Sequence, residues 1–307
     1  MARESLYRED RRSFTLSGVP GADDERPIDL HVHTTASDGT LSPSECVDMA
    51  AHNAIAAIGI TDHDTVDGNA EALARGAEVG VEVVPAVEIA AAHEHWTLHI
   101  LGYYPEPGDT GLADLLACLR SGRDERNPQI LARLAELDRP ISDEDLAAES
   151  DTGVLGRSHI AAAMVRRGYV RNHQDAFDRY LGRGAAAYVE RGKPTAADGI
   201  AALLAAKAVP VLAHPGMLGI YDAKSLDAVV APLVEMGLGG IEAYYHAHTP
   251  SQTAMCQRVA DKHGILITGG SDFHGAGKPD IKMGTGRGRM HVPYRLLTRL
   301  KQARQRV

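Results

Sequence analysis

Short apolar runs alternate with amphipathic segments along most of this chain, and this alternation restricts its possible folds more than any other feature. Strands that alternate with helices imply parallel βα units, because a parallel pair of strands needs a crossover long enough to hold a helix. We therefore expect an α/β protein whose strands come close to forming a closed barrel. The predicted strands are 28–32, 54–60, 81–89, 96–103, 209–213, 240–245 and 265–268.

The alternation stops after Tyr104, at the breaker cluster Pro105 to Gly108. From there to about residue 187 the apolar residues recur at helical spacing, for example at Leu112, Leu116 and Leu119. This segment is therefore predicted to be an all-helical insertion. The expected organisation is a flexible leader at 1–27, a catalytic barrel at 28–104 and 190–307, and a helical insertion domain at 105–189.

Composition excludes several classes of protein. An apolar share of 44% with 24% charged residues is ordinary for a globular protein, so wholesale disorder is not expected. The 32 Lys and Arg against 41 Asp and Glu give a net charge of −9, which argues against a stable, nonspecific nucleic-acid complex. No apolar run reaches the length of a membrane span, and residues 1–27 lack the apolar region of a signal peptide.

The three cysteines Cys46, Cys118 and Cys256 are odd in number and form no CxxC pair. This pattern excludes a disulfide framework and a thiolate zinc cluster. The simplest interpretation is a reduced, cytoplasmic protein.

Side chains with metal-binding chemistry follow or lie within six of the predicted strands. In sheets of parallel strands such groups converge at the carboxyl ends. His31 and His33 are two residues apart on a strand, so their side chains leave the same face, and Asp272 and His274 repeat that spacing. The candidate ligands are His31, His33, Asp38, His63, Glu88, His99, His214, Asp272 and His274.

Imidazole and carboxylate together suit divalent zinc, manganese or iron. Nine groups are too many for one ion, so two or three ions are expected, with one carboxylate bridging. Taken alone, a histidine at a strand end is more often a core or loop residue, and an isolated Asp38 or Asp64 is more often a turn or cap residue. Nine such groups in one topological position are much harder to obtain by chance.

These motifs, read in order, resemble those of the PHP (polymerase and histidinol phosphatase) metallo-phosphoesterases. The matching segments are Asp29 to Thr34, Ser37 to Gly39, Thr61 to Asp64, Glu88, His99, Ala213 to Pro215 and Ser271 to His274. The resemblance implies a distorted (β/α)7 barrel with an all-helical insertion domain and a trinuclear metal centre. Some family members have His at the position of Asp38, which leaves the identity of the third ion more open.

The same resemblance implies how the ligands are shared among the ions. His31, His33, Glu88 and Asp272 would hold the first ion. Glu88, His99 and His214 would hold the second, with Glu88 bridging the two. Asp38, His63 and His274 would hold the third.

Charge arithmetic favours a phosphate substrate. Three divalent ions bring about +6, three carboxylates about −3, and a bridging hydroxide lowers the sum to about +2. The mechanistic hypothesis is attack of a metal-bound hydroxide on phosphorus, with the ions stabilising the added charge and the leaving oxygen.

Within the helical segment, Gly156 to Ala161 contains a second candidate constellation. Arg157 can bind a phosphate with two hydrogen bonds, Ser158 can donate one, and His159 can donate to the leaving group or bind a second phosphate. The alternative is an ordinary helix start with a surface arginine. PHP proteins with an insertion here carry a similar stretch facing the metals and resemble nucleoside 3′,5′-bisphosphate phosphatases and 5′–3′ exoribonucleases.

We therefore expect Arg157 and His159 as catalytic residues and Arg157, Ser158 and His159 as substrate-binding residues. The expected substrate is a small nucleotide phosphate, with short 5′-phosphorylated RNA as a further one, and no membrane partner. Competing hypotheses are a histidinol phosphatase, an amidohydrolase, and a non-enzymatic, metal-stabilised binding or accessory module. Oligomeric state and pathway are left open.

Weaker signals lie outside these motifs. Gly284 to Arg289 lacks the Lys-Ser/Thr of a P-loop and is predicted to be a loop. The basic last helix, from about Pro293, is predicted to be a solvated face. Asp62 and Asp64 are candidates for orienting the ligating imidazoles.

Overall fold

The computed structural model describes residues 26–149 and 155–306. Residues 1–25 of the predicted leader lie outside this part of the chain. The described strands are β1 Ile28–Val32, β2 Ala57–Ile60, β3 Glu82–His93, β4 Trp96–Tyr103, β5 Val209–Leu212, β6 Gly240–Tyr245 and β7 Leu266–Gly270. The described helices are α1 Pro43–His52, α2 Gly68–Val79, α3 Thr110–Glu136, α4 Asp143–Ala147, α5 Arg157–Arg166, α6 His173–Ala176, α7 Ala196–Ala205, α8 Ala223–Glu235, α9 Pro250–His263 and α10 Arg295–Arg304.

The described strands form one seven-stranded sheet in which spatial order equals chain order, from β1 to β7. The sheet curls until β1 meets the segment after β7, where His33 N donates to Phe273 O at 2.9 Å. The buried Asp29 carboxylate closes the same seam by accepting hydrogen bonds from Ser271 N and Gly284 N. The predicted α/β barrel of seven strands is confirmed.

The expectation that all strands are parallel is wrong for β4. This strand runs antiparallel to both β3 and β5, whereas the other described neighbours pair in parallel. The reason is the connection between β3 and β4: His93 pairs with Trp96, so only Glu94 and His95 form the turn. Two residues close a hairpin, but a parallel crossover needs a dozen or more.

Helix boundaries follow the capping signals closely. Ser42 and Glu45 form the predicted capping box of α1, and Thr249 and Gln252 form that of α9. Gly80 ends α2 in the left-handed conformation, with φ 76°. Strand boundaries differ more from the predicted ones. Strand β2 begins at Ala57 rather than at Ala54, because Ala54 is in a turn with φ 54°.

Helix α3 connects the barrel to the other helices of the 105–189 segment. Because β4 runs in the reverse direction, it ends at the amino-terminal rim of the barrel. The 27 residues of α3 give a length of about 40 Å, enough to return the chain to the carboxyl-terminal rim. Leu112, Leu116 and Leu119 pack in the barrel core, whereas Ile130 and Leu134 belong to a separate apolar cluster built from residues 130–189.

The limits of the predicted catalytic barrel and helical insertion domain stay a prediction.

Among the residues described, none of the helices combines the length and the apolar character that crossing a bilayer requires.

Leu119→Ala should destabilise the protein by about 2–5 kcal/mol, because this side chain is buried where α3 packs on the barrel. Leu73→Ala is the matched control, since Leu73 is 42% exposed and its loss should change stability by less than about 0.5 kcal/mol. Urea denaturation of both variants measures the difference. Equal losses would show that α3 does not contribute this packing.

Candidate metal centre

The nine candidate ligands form one connected network at the carboxyl-terminal rim of the barrel. Six follow the strands in loops, whereas His31, Glu88 and His99 lie within β1, β3 and β4. His214 reaches the rim in the turn after β5. Side chains separated by as many as 243 positions, from His31 to His274, thus meet in one place.

Glu88, buried at 1% exposure, is the centre of this network. Its Oε1 lies 2.9 Å from His99 Nδ1 and 3.1 Å from His214 Nε2. Its Oε2 faces three further imidazoles: His63 at 3.1 Å, His33 at 3.2 Å and His31 at 3.5 Å. Each carboxylate oxygen therefore faces a different set of nitrogens, as expected of a bridging ligand.

Asp272 and Asp38 extend the network on either side of His274. Asp272 Oδ1 lies 3.2 Å from His33 and 3.4 Å from His274. The other oxygen, Oδ2, accepts hydrogen bonds from Tyr245 Oη and Lys278 Nζ, which orient the carboxylate. Asp38 Oδ1 lies 3.3 Å from His274 Nε2.

The candidate ligands form three groups, and within each group the potential ligand atoms lie within 4.8 Å of one another. These groups overlap with the ligand sets implied by the family resemblance but do not coincide with them. His63, for example, is near Glu88 and His99 as well as near Asp38 and His274. The assignment of each ligand to one ion therefore stays a prediction. The groups are His33, Asp38, His63 and His274; His31, His33 and Asp272; and His63, Glu88 and His99.

The chemistry of this donor set fits divalent cations. Several of its buried atoms have no hydrogen-bond partner among the described residues, although unsatisfied buried polar groups are rare in folded proteins. These atoms are imidazole nitrogens and a carboxylate oxygen, which are ligands for zinc, manganese or iron. They are His31 Nε2, His33 Nδ1 and Nε2, His63 Nδ1 and Glu88 Oε2.

The electrostatics shift the pKa values of the candidate ligands in both directions. Burial opposes the ionisation of Glu88, but His63, His99 and His31 outweigh it and hold the pKa of the carboxyl well below its usual value. Burial lowers the pKa of His63 to about 3 and also lowers the pKa of His274. His31 and His33 differ: although burial opposes it, Glu242 and Glu88 raise the pKa of His31 well above its usual value, and Asp272 and Glu88 raise that of His33 to about 9.

A cationic wall lies beside this network and lines the same cavity. Asp38, His63 and His99 contribute one side of the cavity, and the segment around the helical insertion contributes the other. The wall has five cations against two acids, the exposed Glu190 and the buried Asp64, so it favours an anion. Its cations are Arg123, Arg126, Arg157, Arg191 and Lys193.

The structure places Arg157 and Ser158 in the lining of this cavity. The Arg157 guanidinium lies between the rings of Phe177 and Tyr188, 5.5 and 5.6 Å from their centroids, and donates to Leu181 O. It is thus held in place with donors left over for a ligand.

His159 is buried at the start of α5, at 6% exposure. Gly156 N donates to His159 Nδ1 at 3.0 Å, so the proton of the neutral ring is at Nε2. Burial lowers the pKa of this imidazole, which favours the neutral form. His159 is therefore arranged as a hydrogen-bond donor through Nε2.

The interpretation of Asp62 and Asp64 as groups that orient imidazoles is wrong. Asp62 accepts hydrogen bonds from Thr34 N, Thr34 Oγ1 and Ser37 Oγ, and so shapes the loop after β1. Asp64 forms ion pairs with Arg123 at 2.7 Å and Arg191 at 3.2 Å, and so attaches the cationic wall to the barrel.

Sequence reasoning also missed Arg123 and Arg126, although the chain carries a signal for them. The buried stripe of α3 runs through Leu112, Leu116 and Leu119, and its helical spacing continues to both arginines. Arginine at positions where the pattern demands leucine indicates a polar cavity against the helix. Arg126 is only 4% exposed, and burial together with Arg157, Arg123 and Arg191 lowers its pKa to about 9.

Comparison with known proteins agrees with this geometry. The PHP domain family matches residues 29–186, which covers half of the chain and most of the candidate ligands. The chain belongs to the PHP family. It is accordingly a metal-dependent phosphoesterase, a hydrolase of phosphate esters, and the predicted membership is confirmed.

Similar proteins align with 81–91% of this chain. A 3′,5′-nucleoside bisphosphate phosphatase of Chromobacterium violaceum is 32% identical over 82% of this chain and 88% of its own. A 5′–3′ exoribonuclease of Haemophilus influenzae is 32% identical over 81% of this chain and 90% of its own. A crystal structure of a candidate metal-dependent phosphoesterase from Bifidobacterium adolescentis superposes with a TM-score of 0.82 at 29% identity, over 91% and 96% of the two chains.

Glu88→Gln should lower the amount of divalent cation that purifies with the protein, because the amide offers one oxygen where the carboxylate offers two for bridging. Glu190→Gln is the control, since Glu190 lies at the cavity but its side chain is 52% exposed and far less enclosed. Elemental analysis of both variants measures the effect. Wild-type cation content in Glu88→Gln would exclude a bridging role.

Proposed function

We propose that this PHP phosphoesterase hydrolyses phosphate monoesters of nucleotides. The preferred substrate in this proposal is a nucleoside 3′,5′-bisphosphate, which loses its 3′-phosphate, and short 5′-phosphorylated RNA is a further substrate. The observation that carries the proposal is the shared cavity, in which a cluster of metal ligands faces a wall of arginines. The names of the two similar proteins from Chromobacterium violaceum and Haemophilus influenzae support the same substrate class.

A substrate with two phosphates matches the two halves of the cavity. One phosphate lies at the network around Glu88, and the other at the cationic wall. Arg157 and Arg126 are well suited to the second phosphate, because guanidinium groups bind phosphate oxygens through paired hydrogen bonds. A terminal 5′-phosphate of RNA would use the same contacts.

Divalent cations at the Glu88 network would lower the pKa of water bound to them and neutralise charge on the phosphate. The protein's own residues do the rest. His159 points its Nε2 proton away from Gly156 and is the candidate donor to the leaving oxygen, and Ser158 donates to a phosphate oxygen. Arg157, fixed between two aromatic rings, orients the substrate without a large loss of side-chain entropy.

Histidinol phosphatase is the second candidate within the same family. Its substrate carries one phosphate and an amino group. The cationic wall disfavours such a substrate, because it would place an ammonium group beside several arginines.

A side-by-side comparison of substrates tests the proposal. Phosphate release from adenosine 3′,5′-bisphosphate should exceed release from histidinol phosphate and from a simple aryl phosphate at equal concentration. Chelation of divalent cations should abolish hydrolysis of all three. Faster phosphate release from histidinol phosphate would contradict the proposal and favour a histidinol phosphatase.

Replacing Arg157 by Ala should raise KM for adenosine 3′,5′-bisphosphate more than KM for an aryl phosphate, since only the former has a phosphate for the wall. A lost charge-assisted hydrogen bond costs about 1.5–3 kcal/mol, which corresponds to a change of roughly 10- to 150-fold. Arg299→Ala, on α10, is the control with the same change of charge. Equal effects on both substrates would argue against this role of Arg157.

A further inference from the structure

His214, a candidate ligand, has an unusual backbone conformation. Its φ of 30° and ψ of 56° lie in the left-handed region, although it is not a glycine. Such a conformation costs about 1–3 kcal/mol and persists only where the surroundings impose it. At this position it turns the chain sharply after β5, and the imidazole Nε2 lies 3.1 Å from Glu88 Oε1.

Two side chains support this turn: Glu242 lies within β6, and His248 follows that strand. Glu242 Oε2 accepts a hydrogen bond from His214 N at 2.7 Å. His248 Nε2 accepts one from Gly216 N at 3.0 Å, while His248 Nδ1 donates to Ala243 O. The contact with Gly216 is so close that a Cβ there would lie 2.5 Å from the His248 ring.

Glu242 has a second bond, directed at a different ligand. Its Oε1 accepts from His31 Nδ1 at 3.0 Å. This bond engages Nδ1 of the ring and leaves Nε2 directed at Glu88 at 3.5 Å and Asp272 at 3.6 Å. One fully buried carboxylate therefore orients His31 through its side chain and His214 through its backbone.

We propose that Glu242 is a shared positioning residue of the metal centre, and that it couples the two parts of the centre to which His31 and His214 belong. The two oxygens of one rigid group set both ligands, so a displacement at one ligand is transmitted to the other. This goes beyond the proposed substrate, because it concerns cation affinity and holds for any phosphate ester.

Glutamine at this position separates the two bonds. The amide keeps one acceptor oxygen but presents an NH2 group at the other place, where it meets either the His214 N–H or the His31 Nδ1–H. Glu242→Gln thus preserves volume and loses at least one of the two orienting contacts. Removing a group that orients a metal ligand generally costs 10–100-fold in metal affinity.

The experiment titrates the metal-free protein with Mn²⁺ and with Zn²⁺ by calorimetry, without substrate. Glu242→Gln should bind cations 10–100-fold more weakly than the wild-type protein. Thr268→Val is the matched control, because Thr268 pairs with Glu242 across the β6–β7 ladder and is equally buried. It should retain wild-type affinity. Wild-type affinity in Glu242→Gln, or an equal loss in both variants, would overturn the proposal.

Nitrogen NMR of the metal-free imidazoles provides the second measurement. The His31 Nδ1 signal and the His214 amide signal report on the two bonds of Glu242, and Glu242→Gln should shift at least one of them. Unchanged signals at both positions would also overturn the proposal.

A variant that leaves Glu242 in place covers the case in which Glu242→Gln does not fold. His248→Leu removes the acceptor for Gly216 N together with the bond to Ala243 O, so cation affinity should fall while the His31 Nδ1 signal stays unchanged. His248→Gln, which offers a new acceptor, should recover part of the affinity. Full affinity in His248→Leu would overturn the inference that the supported position of His214 sets cation affinity.

Discussion

The structure depends above all on one buried carboxylate, that of Glu88, and on the five imidazoles that face it. A buried charge without partners is costly, and Glu88 Oε2 has no hydrogen-bond partner among the described residues, so this oxygen is suited to a cation. The imidazoles that crowd around it are kept neutral where burial dominates, as at His63. The arrangement leaves lone pairs converging on a small space, which is the condition for binding cations.

A second buried carboxylate, Asp64, connects this centre to the helical segment. It forms ion pairs with Arg123 of α3 and with Arg191, and its carbonyl oxygen accepts from Arg120. Through these contacts the carboxyl end of β2 positions both the candidate ligand His63 and the cationic wall. The distance between the candidate metal centre and the cationic wall is therefore built into the fold.

Much of the fold and of the candidate site was predictable from sequence. Strand and helix signals are local, so the capping boxes at Ser42 and Thr249 and most strands were placed correctly. The direction of β4 was missed because alternating patterns suggested crossovers, although the two-residue turn at Glu94 and His95 excluded one. Arg126 and Glu242 were missed because each interrupts an apolar pattern, and such an interruption was not read as a polar site.

The sequence by itself determined the α/β architecture, the chemical identity of the candidate ligands and their order along the chain, because these follow from residue type and short-range periodicity. Only the tertiary structure decided which atoms meet. It determined which oxygen of Glu88 faces which imidazole, how His214 turns back toward Glu88, and how far the cationic wall lies from the candidate ligands. Those distances arise from strand direction and packing between segments far apart in sequence, and local patterns do not encode them.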